Sequence, residues 1–253
     1  LFREHVGKAM RMMDDIIDLE LEKVDLIINK VASDPEEADI RHVEHELWLK
    51  IKDMALRGRR TGLGITAEGD MLAALGLRYG SNEAIDFAVE VHRTLALAAY
   101  RASVKMAEER GAFPIYDAAR EAMNPMIERI KEADPELYAE MVKHGRRNIA
   151  MLTIAPTGTT SLMSQTTSGI EPVFRPVYKR RRKINPSDKG KTADFVDEMG
   201  EKFEEYYVYH HQFVKWLEKN GYDIQKLQSI SDDELASWLE ASPYHGATAN
   251  DID

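Results

Sequence analysis

The stretch that decides how this chain is read is "NIAMLTIAPTGTTSLMSQTTSGIEPVF", Asn148 to Phe174. Apolar residues run from Ile149 to Ala155, with β-formers around Thr153 and Ile154, which predicts a buried strand. Pro156 ends that strand, because proline has no amide to give to a ladder. Thr157, Gly158, Thr159, Thr160 and Ser161 then supply hydroxyls, a flexible glycine and exposed N–H groups just before Leu162 and Met163, where a helix is expected to open. Two readings follow. The unpaired N–H groups and the positive end of the helix dipole would cradle an anion such as phosphate; alternatively the hydroxyls cap the helix and do nothing more. The lysine of a Walker loop is missing, so the pattern is not that of a nucleoside-triphosphatase loop.

Outward from this stretch, helices dominate. From Phe2 to Val31, apolar residues recur at helical spacing, and after the break at "ASDPEEAD" a second helix runs through Leu47, Ile51 and Met54 to Gly58. "RRTGLGIT" reads as a short buried strand or tight turn in which Gly62 and Gly64 permit close backbone approach. A helix from Asp70 to Leu75 stops at Gly76, and Ser81 caps the longest helix, roughly Asn82 to Arg110. "GAFPIYD" interrupts, a helical region follows, and "HGRRN" leads into the opening stretch. Beyond it, "RPVYKRRRKI" is a second extended candidate. The polar loop "NPSDKGK" follows, then a helix from about Ala193 to Asn220 and shorter helices around Ile224 to Gln228 and Asp232 to Leu239. A few strands flanked by helices predict a helix-rich α/β architecture.

Composition limits the function. The 253 residues are 43% hydrophobic and 31% charged, as in an ordinary globular protein, and the formal charge of −10 argues against a general nucleic-acid surface. There is no cysteine, so disulfides, thiolate metal sites and thiol chemistry by this chain are excluded. No apolar run approaches the roughly 18 residues that span a bilayer and no secretion signal is seen, so no membrane association and a cytoplasmic location are expected. His42 and His45 share a helix face but lack further ligands, so no metal is expected there. "KRRRK" at Lys179 to Lys183 reads as a solvated edge strand rather than a nucleic-acid contact. His210 and His211 read as surface or packing residues.

"TIAPTGTTSLMSQTTSGIEPVF", preceded by "RRN" at Arg146 to Asn148, resembles the phosphate-binding strand, loop and helix of the ribonucleotide reductase large, catalytic chain, closest to its adenosylcobalamin-dependent class II. "RRTGLGITAEGDMLAALGLRYGS", "ASVKMAEERGAFP" and "SPYHGATANDID" agree in order, and the region from 185 to 228 is the least matched. The resemblance implies that residues 1–253 are one internal fragment of a ten-stranded α/β barrel that converts ribonucleotides to deoxyribonucleotides by radical chemistry. Pro156, Thr157, Gly158, Thr159, Thr160 and Ser161 would hold the substrate's phosphates, with Asn148, Glu171 and Pro172 in support. It further implies a ribonucleoside di- or triphosphate substrate, adenosylcobalamin and a thioredoxin-like reductant for the complete enzyme. The radical and redox cysteines would lie in the remainder of the reductase chain, which leaves this chain inactive alone. The alternative is a non-catalytic helical interaction module derived from that barrel.

Overall fold

The computed structural model describes residues 1–185, 187, 188, 190 and 192–251. Parts of the loop "NPSDKGK" and the last two residues of "NDID" therefore lie outside the described residues. In chain order the helices are α1 (Phe2–Ala32), α2 (Ala38–Gly58), α3 (Glu68–Ala74), α4 (Asn82–Arg110), α5 (Ala118–Glu121), α6 (Pro125–Ala133), α7 (Pro135–His144), α8 (Gly158–Ser164), α9 (His211–Lys219) and α10 (Asp232–Glu240). The strands are β1 (Val177–Lys183), β2 (Phe195–Val196) and β3 (Lys202–Tyr209). Residues form two units, one from 1–64 and 89–154, the other from 65–88 and 155–253.

The first unit is helical because its apolar residues repeat every three or four positions. Along α1, Val6, Met10, Ile17, Leu21, Val24 and Val31 make one buried stripe, each side chain contributing roughly 1.5–3 kcal/mol by leaving water. The α6 and α7 boundaries follow from capping: Asn124 accepts from the Met126 N–H at 3.0 Å and Asp134 from the Leu137 N–H at 3.0 Å. Pro125 and Pro135 occupy first-turn positions where the missing amide costs nothing. Helix α2 ends differently, at Arg59 with φ of 42°. A non-glycine residue in that region costs on the order of 1 kcal/mol, and here the strained backbone aims the guanidinium at Asp14.

The expected strand at Ile149–Ala155 is corrected to one parallel bridge, Leu63 with Leu152. Thr61 and Leu63 donate to the carbonyls of Ala150 (2.9 Å) and Met151 (2.8 Å), and Thr153 donates back to Leu63 at 3.0 Å. Among the described residues this segment pairs along one edge only. The glycine reading holds: a Cβ at Gly64 would lie 2.1 Å from the Thr153 carbonyl oxygen.

In the second unit, β1, β3 and β2 form an antiparallel sheet with β3 central, running from Val177 opposite Tyr209 to Lys183 opposite Phe203. β1 is an edge strand, and its cations pair across the sheet: Arg181 with Glu205 at 2.6 Å, Arg182 with Glu204 at 2.5 Å, and Lys183 with Glu201. The helix expected from Ala193 to Asn220 is overturned: only His211–Lys219 is helical. "KFEEYYVY" carries four aromatics and a valine in eight residues, a composition that favours a pleated surface over a helix. Gly200, at φ of 79°, turns the chain from β2 into β3. The core of this unit gathers Ala73, Phe213, Leu217, Ile230, Leu235, Trp238 and Tyr244. The three-stranded sheet and the single bridge are the β-structure of the described residues, in a helix-rich α/β chain.

Candidate functional site

In the second unit the chain passes Pro156 and enters α8 at Gly158, with Thr157 as the N-terminal cap position. Threonine there ordinarily turns its hydroxyl onto the N–H of the second or third helical residue. Thr157 does not: its Oγ1 donates to the Ser168 carbonyl and lies 3.2 Å from the Thr66 hydroxyl. The Thr66 hydroxyl donates in turn to the Thr167 carbonyl at 2.8 Å. The N–H groups of Gly158, Thr159 and Thr160 have no acceptor among the described residues, and the exposed Thr159 and Thr160 hydroxyls make no hydrogen bond. A Cβ at Gly158 would meet nothing within 4 Å, so its small size serves no internal packing. Ser161 is different. It is buried, its N–H donates to the Thr157 carbonyl at 2.8 Å, and its hydroxyl donates to the Gly158 carbonyl at 3.0 Å.

The loop is held from behind. Glu171 accepts from the Ser168 hydroxyl and from the Gly169 N–H at 3.1 Å. Burial pushes its carboxyl up, but these hydrogen bonds outweigh burial and hold it below the usual carboxylate range. Pro172 lies against α3, where a Cβ on Gly69 would come within 2.7 Å of the Pro172 Cα. Sequence reasoning missed Asp70, His210 and Tyr244. Buried Asp70 accepts from the Thr167 N–H at 2.8 Å, lies 2.7 Å from His210 Nε2 and accepts from the Tyr244 hydroxyl at 3.2 Å. These three side chains are far apart in sequence, so no spacing marked them. The buried Thr167 hydroxyl makes no hydrogen bond.

Asn148 belongs to the first unit, where its amide is fully used. Its Nδ2 donates to Asp14 Oδ1 (2.9 Å) and to the Arg59 carbonyl (3.0 Å), while its Oδ1 accepts from Ser103 at 2.9 Å. Asp14 is the hub of this network, bonded also to Arg59 at 2.8 Å and Arg147 at 3.2 Å. Burial raises its carboxyl, yet the Arg59 hydrogen bond and charge, with Asn148 and Arg147, bring it below the usual aspartate range. The signal was present in the sequence: an aspartate at position 14 sits on the apolar stripe of Met10, Ile17 and Leu21. Asp14, Asp15 and Asp18 bring ligand atoms within 4.8 Å of one another. Arg59, Arg110 and Arg147 already neutralise this group, which reads as an ion-pair network. No described helix is long and apolar enough to cross a membrane.

Residues 1–250 match the family described as ribonucleotide reductase, barrel domain. The chain is 33% identical over 177 residues to the vitamin B12-dependent ribonucleoside-diphosphate reductase of Mycobacterium tuberculosis, covering 70% of this chain and 19% of that protein. It is 29% identical over 199 residues to the Thermoplasma acidophilum protein of the same name, covering 76% and 20%. The ribonucleoside-diphosphate reductase subunit alpha of Treponema pallidum is 29% identical over 128 residues, covering 49% and 15%. The chain thus spans about a fifth of the length of the reductases it matches first. With nearly its whole length matched, this chain belongs to the ribonucleotide reductase barrel-domain family.

Proposed function

We propose that this chain supplies the substrate-phosphate loop of a ribonucleotide reductase catalytic chain acting on ribonucleoside di- or triphosphates. The observation that carries the reading is the diverted Thr157 hydroxyl, which leaves the first turn of α8 uncapped. An anion with several oxygens satisfies those N–H groups and meets the positive helix end. In this reading Gly158, Thr159 and Thr160 contact phosphate through N–H groups, with the Thr159 and Thr160 hydroxyls as added donors. Pro156, Thr157 and Ser161 shape the turn, Glu171 and Pro172 brace it, and Asn148 orders the segment leading to it. The Leu63 and Leu152 segments are two staves of the ten-stranded barrel.

The chemistry at the ribose needs thiols, and the chain has no cysteine. The radical and reducing cysteines and the contact with a thioredoxin-like reductant therefore fall to the remainder of the reductase. Adenosylcobalamin, suggested by the names of the relatives, belongs there as well. A groove of about 690 Å³ beside α1 and α4 is rimmed by Arg3, Arg11, Arg93, Arg101 and Asp134. Most of these charges are spent on ion pairs, a surface that does not fit a corrin. Incubating the 253-residue chain with nucleotide, adenosylcobalamin and a dithiol is expected to give no deoxyribonucleotide, and product formation would contradict this division of labour.

Replacing Thr159 and Thr160 together by alanine tests the loop. Each hydrogen bond to a charged group contributes about 1.5–3 kcal/mol, so affinity for pyrophosphate or a ribonucleoside diphosphate should fall at least about tenfold. Stability should stay within about 0.5 kcal/mol, since both side chains are exposed and cap nothing. Titration calorimetry and urea denaturation on the same variant read the two effects. Unchanged affinity removes the hydroxyls from the site, and an unaltered chain that binds neither ligand favours a helical interaction module instead.

A further inference from the structure

Asp70 draws three donors from three distant segments onto one buried carboxylate. Oδ2 takes the Thr167 N–H at 2.8 Å, while Oδ1 takes the Tyr244 hydroxyl at 3.2 Å and lies 2.7 Å from His210 Nε2. An ionised carboxylate only accepts, so Nε2 carries the proton in this pair. Burial, followed by the Asp70 charge, pushes the Tyr244 phenol far above its usual range and keeps it a donor.

From Thr167 the connection continues toward α8. Its carbonyl accepts from the Ala67 N–H at 3.2 Å and from the Thr66 hydroxyl at 2.8 Å. The carbonyl of its neighbour Ser168 takes the Thr157 hydroxyl. Two residues beyond His210, Gln212 Nε2 donates to the Gln165 carbonyl at 3.0 Å. The start of α9 therefore holds the 165–169 turn directly through Gln212 and, by way of Asp70, through His210, and that turn receives the Thr157 hydroxyl at Ser168.

We propose that His210 is a positioning residue for the phosphate loop: acting through Asp70 it fixes the Thr167 amide, which keeps Thr157 on the Ser168 carbonyl and the first turn of α8 uncapped. This rests on the reading of α8 as the substrate-phosphate loop. The test uses the 253-residue chain with inorganic pyrophosphate as probe. His210→Ala is expected to speed amide hydrogen exchange at Thr167 about tenfold relative to Leu217 in the same variant, and to weaken pyrophosphate binding by a similar factor. His210→Gln, whose side-chain amide places a donor on the same carboxylate, should restore both to within about twofold. Equal acceleration at Thr167 and Leu217 would mean a general stability role and overturn the proposal. So would unchanged exchange at Thr167, or a glutamine variant that behaves like alanine. If the unaltered chain binds no pyrophosphate, the phosphate-loop reading fails, and the exchange comparison alone decides the positioning role.

Discussion

Asp14→Ala is expected to destabilise the first unit by about 3–5 kcal/mol, because removing one member of a buried ion network leaves the others uncompensated. Arg59 is only 4% exposed and Asn148 is fully buried, so neither reaches water when its partner goes. Total stabilities run about 5–15 kcal/mol, and the loss is a large share of that. Urea denaturation followed by circular dichroism measures it, with Asp18→Ala as the companion variant. Asp18 holds the same Arg59 but is half exposed, so its loss should cost about 1 kcal/mol or less. Equal losses in the two variants would contradict the hub role of Asp14. The pH dependence has a definite sign. Asp14 is held below the usual aspartate range, so its contribution is complete at neutral pH and disappears as acid protonates it, below about pH 4. Asp14→Ala should flatten the stability profile in that acid window only.

Phe213→Ala should cost the second unit about 3–5 kcal/mol through lost burial and the cavity left behind. The ring is fully buried, with its centroid 5.7 Å from Tyr244 in an edge-to-face contact and 6.4 Å from Trp216 in a stacked one. Near-ultraviolet circular dichroism from these aromatics should weaken together with the denaturation midpoint. A cost under about 1.5 kcal/mol would show that the cluster collapses around the gap.

The long helices were legible because one physical signal dominated each of them. The α1 stripe repeats at helical spacing, and Ser81 does cap α4, accepting from the Ala84 N–H at 3.2 Å. The close approach at Gly64 was legible too, since only a residue without Cβ tolerates it. Residues 193–209 were misread because the acidic pairs between aromatics imitate a polar helix face, while their fate as strands depends on β1, already placed alongside. The loop after Pro156 was legible as a helix start, though not the reduction of the strand before it to one bridge nor the direction of the Thr157 hydroxyl. That direction is set by Ser168, and Ser168 is held by Glu171 and, through Thr167, by Asp70. Side chains at 70, 210 and 244 meet only after folding, and no local pattern announces such a meeting.

The Asp14 hub also imposes an order of events on a growing chain. Asp14 meets Arg59 across 45 positions, but Arg147 and Asn148 stand 133 and 134 positions away. While a ribosome adds roughly 5–20 residues each second, the α1–α2 hairpin must wait several seconds between the arrival of its first cation and the last. During that interval the carboxylate is half-neutralised and the neighbouring apolar stripe lacks its cover. Until residue 148 emerges, the buried carboxylate therefore lacks the Arg147 and Asn148 bonds that complete its network.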